Sequence, residues 1–319
     1  MKYVAGIDVG GTKTMICIMD TNKKIGHTAV FGTQSDRGPE ELVCKIGVVL
    51  SHIASKAGIS FTDICAIGLG MPGPIDFEKG AMINPPNFPG WNDVPLVKLM
   101  RKKFNKPIVL ENDVNAAALA ESQLGVGKGE DDFVFVAIGT GIGGGVISGG
   151  KLLRGAGGNA AEIGHLTISL GGPNCGCGNR GCFEAYASGK ALVRFAQKGL
   201  ASGTKSIISK FSQDGKITAE HVFMAARQGD YYAQKLVEKE GYYLGVGIAN
   251  VLNAFNPKVI ALGGGIAQQL DMFYNRMMAV ARKKALPTNR DARIVKAMLG
   301  KQAGVIGAAR IAWQFLNHG

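Results

Sequence analysis

The sequence predicts a two-lobed α/β protein, from its length, its alternation of strands and helices, and one pattern that occurs twice. The chain has 319 residues, about twice the length of one ordinary domain. An apolar strand, a turn of small residues and a second strand occur first around Asp8 and again around Gly139. This repetition predicts two related lobes rather than one sheet.

Hydrophobic periodicity and turn residues give the elements their order. The first three strands are expected to form an antiparallel meander with a glycine-rich first turn. The predicted strands are residues 3–9, 15–19, 25–31, 64–70, 107–110, 133–138, 145–147 and 259–262. The predicted helices are residues 39–57, about 97–104, 112–124, several within 189–253, one after the glycines at 263–265, and 303–316. Small residues at the start of the last helix permit close packing.

Composition and charge exclude several classes of protein. No stretch of about 18 apolar residues is free of charge or glycine, and Asp8 is reached before a secretory leader could form. We therefore expect a cytoplasmic protein without a membrane partner. The net charge of +12 admits an anionic partner. However, the basic runs at 101–103 and 282–284 lack interleaved aromatics and are typical of solvated helix faces, so nucleic-acid binding is not expected.

Three glycine loops are candidates for binding a nucleotide. Asp8 ends a strand and precedes glycines whose N–H groups can meet phosphate oxygens, so this carboxylate could hold Mg²⁺. A hairpin turn that requires positive φ is the alternative. The predicted nucleotide contacts are Asp8, Gly10, Gly11, Thr12, Lys13, Gly139, Thr140, Gly141, Gly143, Gly144, Gly264 and Gly265.

The second and third loops lead into different secondary-structure elements. Residues 139–144 match G-x-G-x-x-G, but they lead into a strand, whereas a dinucleotide-binding fingerprint opens a helix. We therefore expect a second phosphate-binding hairpin. Residues 262–266 do open a helix and suit the adenosine end of a nucleotide, with close packing as the alternative.

Asp113 is the candidate catalytic base. It lies with Asn112 where an apolar strand ends and a helix begins, so a rigid carboxylate could accept a hydroxyl proton while Asn112 orients that hydroxyl. The alternative is an N-cap, a position that either residue serves well. Two further carboxylates, Glu162 and Glu184, lie near a cysteine cluster and could accept sugar hydroxyls.

That cluster predicts a structural metal site. Its members Cys175, Cys177 and Cys182, with His165 upstream, fit a tetrahedral Zn²⁺ site. A redox dithiol is less well supported, because the cluster has no C-x-x-C. Zinc bound to His165 would also hold the loop that bears Glu162.

Together these motifs resemble the ROK family of sugar kinases, and within it the bacterial-type glucokinases. The resemblance covers nearly the whole chain and rests on residues 8–13, 111–116, 139–145, 162–165 and 175–184. It implies a ribonuclease H-like fold of the actin and hexokinase ATPase type, with a cleft between two lobes. The implied small lobe comprises residues 1–115 and 303–319, and the large lobe, with the zinc-binding loop, comprises residues 116–302.

The resemblance also implies roles for individual residues. Asp113 is implied to be the base that acts on a hexose with ATP and Mg²⁺, most simply glucose to glucose 6-phosphate. The implied sugar contacts are Asn87, Asn112, Asp113, Glu162, His165 and Glu184, and the implied zinc ligands are His165, Cys175, Cys177 and Cys182. A homodimer or homotetramer is expected.

Two alternatives to a glucokinase stay open. The substrate could be N-acetylglucosamine, N-acetylmannosamine, mannose or fructose, because loop shape decides this. A sugar-sensing regulator of the same family would carry a DNA-binding segment ahead of the kinase-like part, and the early position of Asp8 argues against one. Phe88 and Ala161 depart from the leucine and glycine that are more usual in the family, and both are expected near the sugar.

Overall fold

The computed structural model describes residues 2–85 and 87–318, and within them forms two five-stranded sheets and a small two-stranded one. The strands are β1 (Tyr3–Val9), β2 (Lys13–Asp20), β3 (Ile25–Gly32), β4 (Ile64–Met71), β5 (Ile75–Asp76), β6 (Ala81–Met82), β7 (Ile108–Asn112), β8 (Phe133–Ile138), β9 (Ile142–Ser148), β10 (Lys151–Leu152), β11 (Val259–Gly263) and β12 (Arg293–Lys296). The helices are α1 (Pro39–Lys56), α2 (Leu96–Phe104), α3 (Asp113–Leu124), α4 (Glu184–Ala187), α5 (Gly189–Ala201), α6 (Ala219–Arg227), α7 (Tyr231–Phe255), α8 (Gly264–Ala267), α9 (Tyr274–Lys284) and α10 (Ala303–His318).

The two large sheets share one topology. The first has the order β3-β2-β1-β4-β7 and the second β10-β9-β8-β11-β12. In each sheet, the first three strands in this order are antiparallel to their neighbours. The last two strands run parallel to the third one, which is β1 in the first sheet and β8 in the second. The prediction of two related lobes, each beginning with a strand, a tight turn and a second strand, is therefore confirmed.

Helices cover both faces of the first sheet, which is why β4, an inner strand, is almost wholly apolar and buried. On the outer face lies α1, which begins with Pro39 at its first turn and turns Leu42, Ile46 and Leu50 inward at helical spacing. The outer cluster of the second lobe is built in the same way, from β8, β9 and β11 packed against α5, α6, α7 and α9.

Helices α3 and α10 lie between the two sheets. Helix α10 packs on β1 and β4, α3 packs on β8 and β9, and the two helices pack on each other. A Cβ on Gly68 of β4 would overlap the backbone of Ala308, and one on Gly307 would overlap that of Ala116. The small residues of α10 therefore allow it to pack closely on β4 and α3, as expected from the sequence. The division of the chain near residues 115 and 303 stays a prediction.

Local patterns missed the short elements. The β5–β6 hairpin and β12 are two to four residues long, too short for a periodicity to be visible. The long segments were predicted to within a few residues. Within residues 2–85 and 87–318, no helix combines the length and the apolar character needed to cross a bilayer.

Candidate functional site

The first glycine loop is held in place by Thr33 at the end of β3. The Thr33 hydroxyl donates to Gly10 O (2.6 Å), and its N–H donates to Thr12 O (3.0 Å). Gly10 and Gly11 both lack positive φ, so the turn does not require glycine for its conformation. Instead, a Cβ on Gly11 would lie 2.7 Å from the Cβ of Asn87. Glycine at position 11 therefore allows the segment with Asn87 to approach the loop.

Asp113 is placed by the junction of β7 and α3. Asn112 caps the helix, since its Oδ1 accepts from the N–H groups of Val114 (2.9 Å) and Asn115 (3.1 Å). The N-cap role weighed for this pair thus belongs to Asn112. Asp113 is the first helical residue, and one of its oxygens accepts from Val114 N–H at 2.9 Å. These bonds use neither the NH₂ group of Asn112 nor the second oxygen of Asp113, so both groups can bind other partners.

Parallel strands bring Asp8 and Asp113 to one edge of the first sheet. Gly70 of β4 pairs in register with Asp8 on one side and with Glu111 on the other. A Cβ on Gly70 would lie 3.7 Å from Asp8 Oδ1 and 3.7 Å from the Cα of Asp113. The two acids therefore face each other across Gly70, at the carboxyl ends of β1 and β7, the two strands that flank β4.

Burial changes the acidity of both groups. Desolvation, and to a smaller extent the negative charge of Asp113, raise the pKa of Asp8 to about 7. Desolvation also raises the pKa of Asp113; the Val114 N–H opposes that rise, and the charge of Glu162 adds to it. Two such acids favour a cation or a hydroxyl donor between them.

Glu162 and Glu184 extend this acidic group into the second lobe. Desolvation raises the pKa of Glu162, while His165 lowers it and Glu184 raises it. The nearest oxygen of Glu162 lies 4.0 Å from Nε2 of His165. Glu184 begins α4, and its Oε2 accepts from Ile142 N–H at 2.8 Å. The electrostatic effects thus run from Asp8 through Asp113 and Glu162 to Glu184.

The second glycine loop is a hairpin between β8 and β9, so the dinucleotide-binding alternative is excluded. Gly139 N–H donates to Gly141 O at 2.9 Å to close the turn. Added Cβ atoms would lie 2.7 Å from Val114 at Gly143 and 2.5 Å from Ile163 at Gly144. Packing of α3 and of the Glu162 segment on β9 therefore accounts for these two glycines, whether or not they also meet phosphate.

The third glycine loop meets the second at the carboxyl edge of the second sheet, since β8 and β11 are parallel neighbours. Gly264 has φ of 88°, and a Cβ there would overlap the carbonyl of Ile138. Nothing lies within 4 Å of a Cβ built on Gly265, or of one built on Gly139. At this edge of the second sheet, packing therefore requires a glycine at position 264, whereas Gly139 and Gly265 face open space among the described residues.

The histidine and cysteines of the cluster are close enough together to hold a metal ion. The ligand atoms of His165, Cys175, Cys177 and Cys182 all lie within 4.8 Å of one another. The Sγ atoms of Cys177 and Cys182 are 3.7 Å apart, and Cys175 Sγ lies 3.6 Å from His165 Nδ1. Ligands about 2.3 Å from a tetrahedral zinc ion are roughly 3.8 Å apart.

The thiols of this cluster differ in acidity, and His165 lies between them and the acidic site. Desolvation is the largest of the effects that raise the pKa of the Cys182 thiol to about 12, whereas the backbone N–H of Asn179 lowers the pKa of Cys177. His165 turns Nδ1 towards Cys175 and Nε2 towards Glu162. One ring can therefore serve a metal with one nitrogen and the acidic site with the other.

Three features of the site were not apparent from the sequence alone, or are described only by the structure. Glu111, within the matched motif, is buried and pairs with Arg154 at 2.7 Å, and no local pattern marks Arg154. Ala161, where glycine is more usual in the family, has φ of 65°, a conformation that disfavours side chains. Phe88, the other departure, is buried against Trp91 with ring centroids 4.9 Å apart.

Fold and site together define a two-lobed α/β protein with an acidic site shared by both lobes and a metal-ligand cluster beside it. The chain belongs to the ROK family, whose model matches residues 4–314. It is 34% identical to a glucokinase of Thermotoga maritima over 308 residues, 96% of each chain.

Solved structures agree in fold. A ROK hexokinase from Thermus thermophilus matches with a TM-score of 0.87 and 36% identity, over 99% of this chain and 100% of that one. A ROK family glucokinase from Streptomyces griseus, in complex with glucose and AMPPNP, matches with a TM-score of 0.81 and 34% identity, over 98% and 99% of the two chains. The prediction of an actin- and hexokinase-type ATPase fold is confirmed.

Proposed function

We propose that this protein is an ATP-dependent hexose kinase that converts D-glucose to glucose 6-phosphate, with Asp113 as the catalytic base. The observation that carries the proposal is the placement of Asp113 opposite Asp8 at one sheet edge, in electrostatic contact with Glu162. Similarity to glucokinases and to a glucokinase complex with glucose and AMPPNP supports the choice of substrates.

Asp113 has the properties of a general base. The hydrogen bond from Val114 N–H holds one oxygen, which fixes the rotamer and leaves the other oxygen to accept a hydroxyl proton. Burial raises its pKa towards the operating range, which makes it a stronger base than a solvated aspartate. As the sugar hydroxyl attacks the terminal phosphoryl group of ATP in line, its proton passes to Asp113.

The nucleotide and its Mg²⁺ are assigned to the glycine loops and Asp8. Asp8 lies at the carboxyl end of β1, beside the first glycine loop and close to Asp113, so a divalent ion there would be held by a carboxylate oxygen, the kind of ligand that Mg²⁺ prefers. When bound, Mg²⁺ would neutralise charge on the phosphates. Gly139 and Gly265, beside open space, are the glycines best suited to backbone contact with phosphate or adenosine.

The sugar is assigned to Glu162, Glu184, Asn112, His165 and Asn87. The Asn112 NH₂ group donates, and the carboxylates accept from sugar hydroxyls. His165 Nε2 can join them while Nδ1 binds a structural Zn²⁺ together with the three cysteines. On the family resemblance we also propose that the protein is cytoplasmic and forms a homodimer or homotetramer. Light scattering, which measures the molar mass of the assembly, tests the oligomeric state.

A phosphorylation screen tests the proposal. Purified protein with Mg·ATP is assayed for ADP release with glucose, mannose, fructose, N-acetylglucosamine and N-acetylmannosamine, and the product is identified by NMR. We expect the highest kcat/KM with glucose and phosphate on O6. A higher kcat/KM with another hexose would replace glucose as the substrate. No sugar-dependent ADP release with any of them would overturn the kinase assignment and favour a sugar-sensing regulator.

A further inference from the structure

A buried ion pair lies directly beside the proposed catalytic base. Glu111 is 1% exposed, and its Oε2 lies 2.7 Å from Nε of Arg154. Its other oxygen accepts from Asn112 N–H (3.1 Å) and from the Asn115 side-chain amide (3.1 Å). Both oxygens are therefore occupied, and two of the three donors belong to the residues that begin α3.

The pair joins the two lobes. Glu111 is in β7, an edge strand of the first sheet, whereas Arg154 follows β10, an edge strand of the second. Since Asn112 and Asp113 come next in the chain after Glu111, a force on this carboxylate acts on the residues that cap α3 and supply the proposed base.

The segment after Arg154 makes further contacts with the first lobe before it reaches Glu162. Ala160 N–H donates to Arg154 O at 3.0 Å, which closes the segment into a loop. The Asn159 side chain donates to Ile75 O at 3.2 Å, and a Cβ on Gly158 would overlap the ring of Phe77. The segment from Arg154 to Glu162 thus leaves the second sheet and contacts the first lobe through Arg154, Gly158 and Asn159. It ends at Glu162, a proposed sugar ligand.

Charge explains why an arginine is needed at this position. A carboxylate as buried as Glu111 is strongly destabilising unless it is paired and hydrogen-bonded. The guanidinium of Arg154 pairs with Glu111 at 2.7 Å, so the buried carboxylate next to the proposed base is not left unpaired.

We propose that Arg154 is a positioning residue for phosphoryl transfer: by holding Glu111 it fixes Asn112 and Asp113 relative to the Glu162 loop, so that base and sugar are aligned only when the two lobes are joined here. This inference rests on the proposed kinase function. It predicts that loss of Arg154 affects turnover and sugar binding, because those depend on alignment across the lobes, and leaves nucleotide binding alone.

The test compares Arg154→Gln and Arg154→Lys with the double variant Arg154→Gln/Glu111→Gln. Arg293→Gln is the matched control, since Arg293 pairs with Glu130 at 3.3 Å on the surface. We expect Arg154→Gln to lower kcat by about tenfold or more, the cost of a small misplacement, with the KM for ATP unchanged. Lysine should restore part of the loss. The double variant should be less impaired than Arg154→Gln alone, because no buried charge is left unpaired.

Hydrogen exchange separates this inference from the kinase assignment. The amides of Val114 and Asn115 should exchange faster in Arg154→Gln than in the wild type or in Arg293→Gln, whether or not the wild type phosphorylates a sugar. If Arg154→Gln does not fold, the lysine and double variants carry the same comparison. Unchanged exchange, or a kcat equal to that of the control, would overturn the positioning role; absent activity in the wild type with altered exchange would refute only the kinase assignment.

Discussion

The carboxylate of Glu184 accepts a hydrogen bond of 2.8 Å from the backbone N–H of Ile142. This contact ties the cysteine-rich loop to the β8–β9 hairpin, and it leaves no space for a side chain at Gly141, where a Cβ would overlap the same carboxylate. A proposed sugar ligand is thereby positioned by the loop proposed to meet phosphate.

The two ends of that turn should respond differently to alanine. Gly141→Ala must displace the carboxylate of Glu184 and break its hydrogen bond with Ile142, so we expect a loss of stability of about 1 kcal/mol and a higher KM for the sugar. Gly139→Ala meets nothing within 4 Å, so its stability should match the wild type, while the KM for ATP rises if phosphate approaches this backbone. Urea denaturation and steady-state kinetics measure both, and equal stability of the two variants would contradict the packing role of Gly141.

Removing the base should abolish most of the chemistry. In Asp113→Asn the hydrogen bond from Val114 N–H is retained and the proton acceptor is lost, so kcat should fall by about 10² to 10⁴ with little change in KM. The coupled ADP assay measures it. Asp63→Asn on the surface is the control and should match the wild type. Turnover within a few-fold of normal in Asp113→Asn would exclude this residue as the base.

The cysteine cluster should contain one zinc ion per chain. Cys177→Ser removes one of four ligands and should lower both the zinc content, by elemental analysis, and the melting temperature, because a structural metal contributes folding energy. The exposed Cys44→Ser is the control. A chelated, zinc-free protein that melts at the same temperature as the untreated protein would rule out the structural metal.

Glu240 should make stability depend on pH. It is 2% exposed on α7, its Oε1 has no hydrogen-bond partner among the described residues, and desolvation raises its pKa well above 4.5. Because the folded pKa exceeds the unfolded one, its contribution is fully present below about pH 4.5 and is lost as the pH rises through the folded value.

Glu240→Met should remove this dependence. We expect the variant to be more stable than the wild type by about 1 to 3 kcal/mol at neutral pH, with a difference that shrinks on acidification. Urea denaturation at several pH values measures it. The neighbouring exposed Glu238→Met is the control and should change stability little at any pH. A Glu240 variant that is less stable than the wild type throughout would mean that the carboxyl has a partner.

Much of the candidate site could be predicted because its motifs are local. Asp8, Asn112, Asp113, Gly139 and the cysteine cluster each lie at a strand end or turn that the sequence marks with glycine, asparagine or aspartate. The roles of Gly143 and Gly144 could not be separated in advance, since whether a glycine meets phosphate or a packed helix depends on what lies opposite. Arg154 carries no local signal at all.

The sequence by itself determined the order of the long strands and helices, the three glycine loops, the histidine and cysteines of the candidate metal site, and the family. These features arise from periodicity and turn chemistry within short segments. Only the tertiary structure decided that Asp8 and Asp113 face each other across Gly70, that Asn112 caps α3, and that Arg154 reaches Glu111. The physical reason is that these relationships depend on parallel strand register and on packing between segments distant in the chain, which hydrophobic pattern does not encode.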